Sequence, residues 1–509
     1  MAPGLGDRPR ARPARFAVTR HPSRIQPSTQ AAADDGLWSP KRRVLSGGLV
    51  LTITLVAFEA LAVSTVLPIV ANDLGGKELY GWVFSAFFLG SLIGIAVVGG
   101  TVDRGALGRP FALGLALFGI GLLIGGLAPS MPILVGARFI QGLGAGTIPP
   151  IAYVAIGRSM PERLRPRMFA TLSTAWILPG VVGPALAGLV GETLGWRYVF
   201  LGMLPFIAVA GVLTHRAIAA VRVPETSAED EHLAGNAGRR RLPSALLVSF
   251  GAGLFMAGLS TGEPLLLVGL VAAGLVAGLP ALLRLTPPGT LTARPVLPAA
   301  VMLRGILTCT FFGVDAYVTL ALEDARGLSA IAAGVVLTAA TLAWTAGSWT
   351  QARNSERWPT RHFVRVGFVV VVVGLSLYSF TLHPDVPVWL AVPTFAIAGY
   401  GMGLAYAPLA LIVLREAPPE TQGTASSALS LMDTLGTAIG TGVSGAIVAA
   451  GLRATGEVSV GLAAAFAASI AVGIGGFAIS GRLRRPRVVG ATGEPVTTRP
   501  DPPPSLVHE

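Results

Sequence analysis

The sequence has almost no cysteine and very little charge. Its single cysteine, Cys309, sits inside an apolar segment, so no disulfide can form within the chain and the redox compartment stays open. Charged residues make up only 13% of the 509, where soluble domains carry about 25%. Lysine is nearly absent: Lys41 and Lys77 stand alone, and neither ends a phosphate-binding loop, which excludes an ATP-driven pump within this chain. The six histidines, at 21, 215, 232, 362, 383 and 508, fall in loops, tails or the ends of apolar runs, so no metal-ligand set is expected.

What fills the chain instead is apolar sequence. Hydrophobic residues reach 52% and mean hydropathy is +0.67, which makes this an integral membrane protein. The formal charge of +12 could suggest nucleic acid, but a nucleic-acid protein gathers its basic residues on one folded face. Here they lie in short loops between apolar runs, the distribution that the positive-inside rule produces, and no nucleic-acid partner is expected.

Runs of some 18 or more apolar residues predict fourteen spanning helices, at 44–70, 79–101, 110–128, 131–157, 167–192, 196–219, 244–261, 264–284, 299–322, 328–351, 362–382, 386–414, 423–450 and 459–481. Odd-to-even connections are poor in basic residues. Even-to-odd connections carry Arg104 and Arg109, then Arg158 to Arg167, then Arg239 to Arg241, then Arg353 to Arg365, which places both termini in the cytoplasm. The expected organisation is a disordered basic cytoplasmic tail (1–43), a six-helix bundle (44–219), a cytoplasmic linker (220–243), two additional helices (244–284), a second six-helix bundle (285–481) and a disordered cytoplasmic tail (482–509). Duplicated halves are the usual plan of secondary transporters.

The stretch FEALAVSTVLP, Phe58 to Pro68, puts Glu59 deep in the first run. An ionisable group at that depth costs several kcal/mol and ordinarily faces the bundle interior. In the fourth run, LVGARFIQGLGAG carries Arg138 and Gln141 on one helical face. An arginine has no neutral form to retreat to, so it needs an anionic partner or a wet cavity, and its depth matches that of Glu59. Asp315, in FFGVDAYVTL, and Asp433, in SSALSLMDTLG, are further intramembrane acids, each a candidate proton or cation site or a helix-to-helix hydrogen bond. Trp176, Trp344, Tyr400 and Tyr406 are candidates to line an aromatic cavity. GTGVSG (440–445) and GLSTG (258–262) satisfy dinucleotide and nucleophile-elbow patterns by chance, since neither has the strand that those motifs require.

Three stretches carry a family resemblance. GGTVDRGALGR supplies Gly99, Asp103, Arg104, Gly108 and Arg109 and resembles the loop signature GxxxDRxGR of the major facilitator superfamily, with two extra residues before its Gly-Arg pair. Arg138, Gln141 and Gly142 resemble the RxxQG signature of proton-coupled members. WILPGVVGPALAGLVG, with Gly180, Gly183, Pro184 and Gly188, resembles the antiporter signature GxxxGPxxGG, with Pro179 and Ala187 at two of its glycine positions. WRYVF (196–200) and FEALAVSTVLP further resemble the fourteen-helix drug:proton antiporter branch, with Glu59 where that branch has Asp. The resemblance implies an all-α, major-facilitator-type fold of two six-helix bundles plus two extra helices. It also implies no enzymatic activity, no cofactor, the proton gradient as energy source, and outward export of lipophilic or amphipathic small molecules by a multi-pass protein of the inner (plasma) membrane. A monomer is expected. The alternatives are a lipid or glycolipid exporter of the same fold, a membrane sensor without flux of its own, and, less favoured, proton-driven uptake.

Overall fold

The computed structural model describes residues 36–76, 79–221 and 228–484, without the side chains of 104, 228–238, 330 and 331. Among the described residues the secondary structure is helical throughout. The first half contains α1 (Arg43–Leu74), α2 (Tyr80–Arg104), α3 (Gly108–Gly126), α4 (Met131–Ser159), α5 (Arg165–Thr174), α6 (Ile177–Val190), α7 (Arg197–Leu201) and α8 (Leu204–Ala219). After it come α9 (Ala228–Ser260) and α10 (Pro264–Leu285). The second half contains α11 (Leu297–Asp315), α12 (Val318–Glu323), α13 (Ala330–Asn354), α14 (Thr360–Phe380), α15 (Ala391–Glu416), α16 (Gln422–Thr455) and α17 (Val458–Ile479).

Three spans are each built from two of these helices: α5 with α6, α7 with α8, and α11 with α12. The break between α5 and α6 has a local cause. Pro179 cannot donate to the carbonyl of Ala175, and its ring collides with that oxygen, so the helix reorients one turn upstream. Thirteen helices among the described residues are long and apolar enough to cross a membrane. Helix α13, 25 residues long, stands in the second bundle beside them and completes the expected fourteen. An even number of crossings returns Arg43 and Leu483 to one side, here termed the basic face because the arginine-rich connections gather there. Within 220–243, the residues from Ala228 onward are helical and run without interruption into the seventh span.

One intimate helix pair in each half follows the same pattern. In the first, a Cβ at Gly142 or Gly146 of α4 would come within 2.1 to 2.2 Å of the carbonyl oxygens of Phe87 or Ser91 in α2. In the second, a Cβ at Gly399 or Gly403 of α15 would come within 2.0 to 2.3 Å of those of Ala340 or Trp344 in α13. Lipid offers no hydrophobic drive between helices, so backbone-to-backbone approach through small residues is how such pairs gain their packing. The repeated i, i+4 spacing makes the two halves structural counterparts. Helix α9 packs against α2 and α16, with Ser249 Oγ donating to the carbonyl of Leu89 at 2.9 Å, and α10 packs on α9.

Candidate functional site

The centre of the first half is an ion pair. Arg138 Nη1 donates to Glu59 Oε1, and the two side chains are 3% and 1% exposed. The same nitrogen donates to Gln141 Oε1 at 2.6 Å, Nε reaches the carbonyl of Val83 at 3.4 Å, and the guanidinium carbon lies 4.4 Å from the centre of the Phe87 ring. Arg138 and Gln141, three residues apart, share the face of α4 turned to α1, as their spacing requires. Two polar atoms keep unused capacity: Glu59 Oε2 and Gln141 Nε2 are buried without a hydrogen-bond partner among the described residues. The carboxylate thus has one oxygen committed to the guanidinium and one without a partner.

The second half holds a different arrangement. Tyr406 of α15 donates its hydroxyl to Asp433 Oδ2 of α16 at 2.7 Å, and Arg304 of α11 stacks on the Tyr406 ring with its guanidinium carbon 3.5 Å from the centre. Arg304 is 1% exposed, yet none of its three nitrogens has a hydrogen-bond partner among the described residues, and Asp433 Oδ1 lacks one too. Its electrostatic neighbours are Tyr406, Asp433 and, from the first half, Tyr153. At about 1.5 Å per residue, Arg304 lies roughly 10 Å and Asp433 roughly 17 Å from the basic-face ends of their helices, against roughly 24 Å for Glu59. The two acids therefore occupy different depths.

Asp315 joins neither cluster. It is the last residue of α11, at the break before α12, and Tyr378 lies within its electrostatic reach. Of the four aromatic candidates, Trp344 and Tyr406 meet edge to face at 5.3 Å, and Phe311 and Phe312 extend the group around Trp344. Trp176 is exposed, and neither it nor Tyr400 has a ring contact among the described residues, so these two stand outside that aromatic group.

At the basic face, Asp103 closes the seam between the halves. It caps the start of α16, accepting from the backbone amides of Gly423 and Thr424 at 2.5 and 3.0 Å and from the Thr424 hydroxyl at 2.5 Å. A carboxylate at a helix N-terminus meets unpaired amides and the positive end of the helix dipole. Gly99 lets the helices meet, since a Cβ there would fall 2.4 Å from Ser427 Oγ. Arg241, on α9, donates to Thr424 Oγ1 at 3.1 Å, and Arg158 holds the carbonyls of Val102 and Asp103 at 2.8 and 3.1 Å. The Gly-Arg pair sits one turn on, with Gly108 against Ala219 and Arg109 opening α3. Arg104 ends α2, and its side chain lies outside the described residues. Deeper in the seam, Ser173 and Ser348 share a hydrogen bond of 3.0 Å and Trp349 Nε1 donates to Thr174 at 3.0 Å.

The α6 glycines require a change of reading. Their spacing suggests a surface made smooth for close approach, but a Cβ at Gly180, Gly183 or Gly188 would meet only ordinary contacts of 3.7 to 3.9 Å, with Thr341, Phe58 or Thr65. Pro184 sits exposed among them. In this conformation they leave slack along α1 rather than a tight joint.

Sequence reading missed Arg304 and Tyr153. Arg304 obeys the same rule that singled out Glu59, a lone charge within an apolar run, but seven residues from the start of its helix it resembles an ordinary rim arginine. Tyr153 carries no signal until the two halves are docked.

Two pseudo-equivalent helical halves, charged residues buried between their helices and a seam closed at one face define a membrane transporter rather than an enzyme. The sequence profile of the Major Facilitator Superfamily matches residues 49–441, and the chain belongs to that family. It is similar to a probable multidrug-efflux transporter of Mycobacterium tuberculosis, 28% identical over 470 residues that cover 88% of this chain and 97% of that one. It is also similar to the multidrug efflux pump SdrM of Staphylococcus aureus, 25% identical over 79% of this chain and 88% of that pump. Among solved structures, a human organic anion transporter superimposes with a TM-score of 0.64 at 14% identity, over 87% of this chain and 99% of the other, and the proton:xylose symporter XylE with 0.60 at 14% identity, over 85% and 94%. These two show the fold alone.

Proposed function

We propose that the protein is a proton-coupled exporter of lipophilic or amphipathic small molecules, working by alternating access as a monomer in the cytoplasmic membrane with its basic face inward. The observation that carries this reading is the Glu59–Arg138 pair: a buried carboxylate with one oxygen on a guanidinium and the other unpartnered. Protonating Glu59 removes one charge of a pair whose partner cannot follow, so the α1–α4 interface loses its main attraction and the preferred arrangement of helices changes. A proton entering from outside would favour opening at the basic face, and its release inward would return the pair to its present state. The slack at the α6 glycines supports a movement of α6 along α1 during that step. The hydrogen bonds of Asp103, Ser173 and Trp349 fit a state closed to the cytoplasm.

The energetics suffice. One charge moved through 100 mV is worth about 2.3 kcal/mol, roughly a fiftyfold concentration ratio. The multidrug-efflux names of the similar proteins support the substrate class and the direction. The test is Glu59→Gln in everted membrane vesicles with a fluorescent lipophilic substrate: efflux driven by a pH gradient should be abolished while membrane insertion persists. Proton-driven efflux at the wild-type rate would remove Glu59 from the mechanism.

A further inference from the structure

A pair of neighbouring cavities at the basic face is not used by the transport scheme. The first, about 1380 Å³, opens between the halves: Arg163 and Arg165 come from the first, and Arg357, Arg361, Arg415 and Arg484 from the second. Glu162, Glu356 and Glu416 also line it, leaving three positive charges in excess. Part of this charge is already committed. Arg165 donates to the carbonyls of Met160 and Gly157 at 3.0 and 2.8 Å, and Arg163 and Glu416 have partners of their own. The guanidinium groups of Arg357, Arg415 and Arg484, by contrast, make no hydrogen bond or ion pair among the described residues, and Arg361 Nε is buried without a partner.

The second cavity, about 620 Å³, shares Trp358 and Pro359 with the first and runs down the outside of the bundle. Its walls are Val366 and Val369, one turn apart on α14, and Phe477 near the basic-face end of α17. His362 and Arg365 also line it, the Arg365 guanidinium 5.2 Å from the centre of the Phe477 ring. Trp358, 54% exposed, stands where the cationic chamber becomes the apolar groove, the level at which amphipathic rings settle at a membrane interface.

We propose that the two cavities are one binding site for an anionic glycerophospholipid of the leaflet at the basic face, with an acyl chain in the groove and the phosphate in the arginine chamber. Uncommitted guanidiniums suit a phosphodiester, and basic pockets between spans at this level take acidic head groups. A free phosphate would account for the chamber but leave the apolar groove without a role. The inference does not draw on the transport reading, since lipid retention is measured without substrate or gradient.

The experiment is native mass spectrometry of the purified full-length protein released from micelles holding equal phosphatidylglycerol and phosphatidylcholine of the same chain length. Phosphatidylglycerol should be retained roughly tenfold better, and each of Arg357→Gln, Arg415→Gln and Arg484→Gln should lower retention about fivefold, the effect of one basic side chain near an acidic leaflet. The triple arginine-to-lysine variant should keep most of the preference, which separates charge from misfolding. Val369→Trp, which fills the groove, should reduce lipid retention and leave the binding of inorganic phosphate unchanged. Equal retention of the two lipids, or no response to the glutamine variants, overturns the proposal. Lipid displaced by millimolar inorganic phosphate together with an inert Val369→Trp would reassign the chamber to a free anion and overturn it equally.

Discussion

The two halves share a packing plan and differ in how they hold charge. In the first, Glu59 and Arg138 touch, seal each other from solvent and take Gln141 as a third member. In the second, Asp433 is held by the Tyr406 hydroxyl while Arg304 lies on the ring of that tyrosine, with no ion pair between acid and base. Contact makes the first a unit from which neither Glu59 nor Arg138 can be removed alone without stranding a charge. The second is looser and reaches across the seam to Tyr153, so its members are tied to the docking of the halves. A duplicated fold has thus placed a tight charge pair within one bundle and a loose cluster between the two.

The largest expected effect tests the tightness of the first pair. Glu59→Ala leaves Arg138 buried with only neutral partners and should cost about 3 to 5 kcal/mol in detergent unfolding, whereas Asp433→Ala, which breaks no ion pair, should cost clearly less. Equal losses would mean that the two clusters are held alike. Next comes Tyr406→Phe, which keeps the ring under Arg304 and deletes the hydroxyl bond to Asp433. About 1 to 3 kcal/mol should be lost, with Tyr406→Ala losing more because the cation–π contact goes too.

Gly423→Ala probes the seam rather than either cluster. Its Cβ would lie 2.4 Å from Val102 Cγ2 and 2.8 Å from Asp103 Oδ1, so the closed form should rise by about 1 to 3 kcal/mol. Faster labelling of a cysteine introduced at Thr424, in a Cys309→Ser background, would report the opening. Smallest of all is Gly188→Ala, where a Cβ meets only Thr65 at 3.9 Å. The unfolding free energy should stay within about 0.5 kcal/mol of the parent, and a large loss would show that α6 packs more tightly on α1 than it does here.

Much of this architecture can be read from the chain. Fourteen apolar runs are conspicuous because lipid forces each span to satisfy its own backbone. Glu59 and Arg138 could be matched by counting residues along two helices. The partners of Asp103 could not: Gly423 and Thr424 are some 320 residues away and offer no charge to look for, only amides at a helix start. Arg304 was hidden for another reason. An arginine two turns into a span can lie in head groups or in the core, and only the packing of α11 against α15 and α16 settles it. Spacing also misjudged the α6 glycines, because absence of a side chain permits close approach without producing it.

Composition and periodicity by themselves determined that this is a membrane protein of repeated helical halves, since apolar runs of some 18 or more residues cross hydrocarbon as helices, being too long for barrel strands. They also determined which acids lie at membrane depth, because depth follows from counting along a helix of known rise. What tertiary structure alone decided is company: that Glu59 meets a guanidinium while Asp433 meets a hydroxyl, that a tyrosine of one half faces an arginine of the other, and that Asp103 caps a distant helix. Such contacts depend on the rotation and docking of rigid helices, and a difference of one hundred degrees about a helix axis exchanges a partner for lipid without altering hydrophobicity or length.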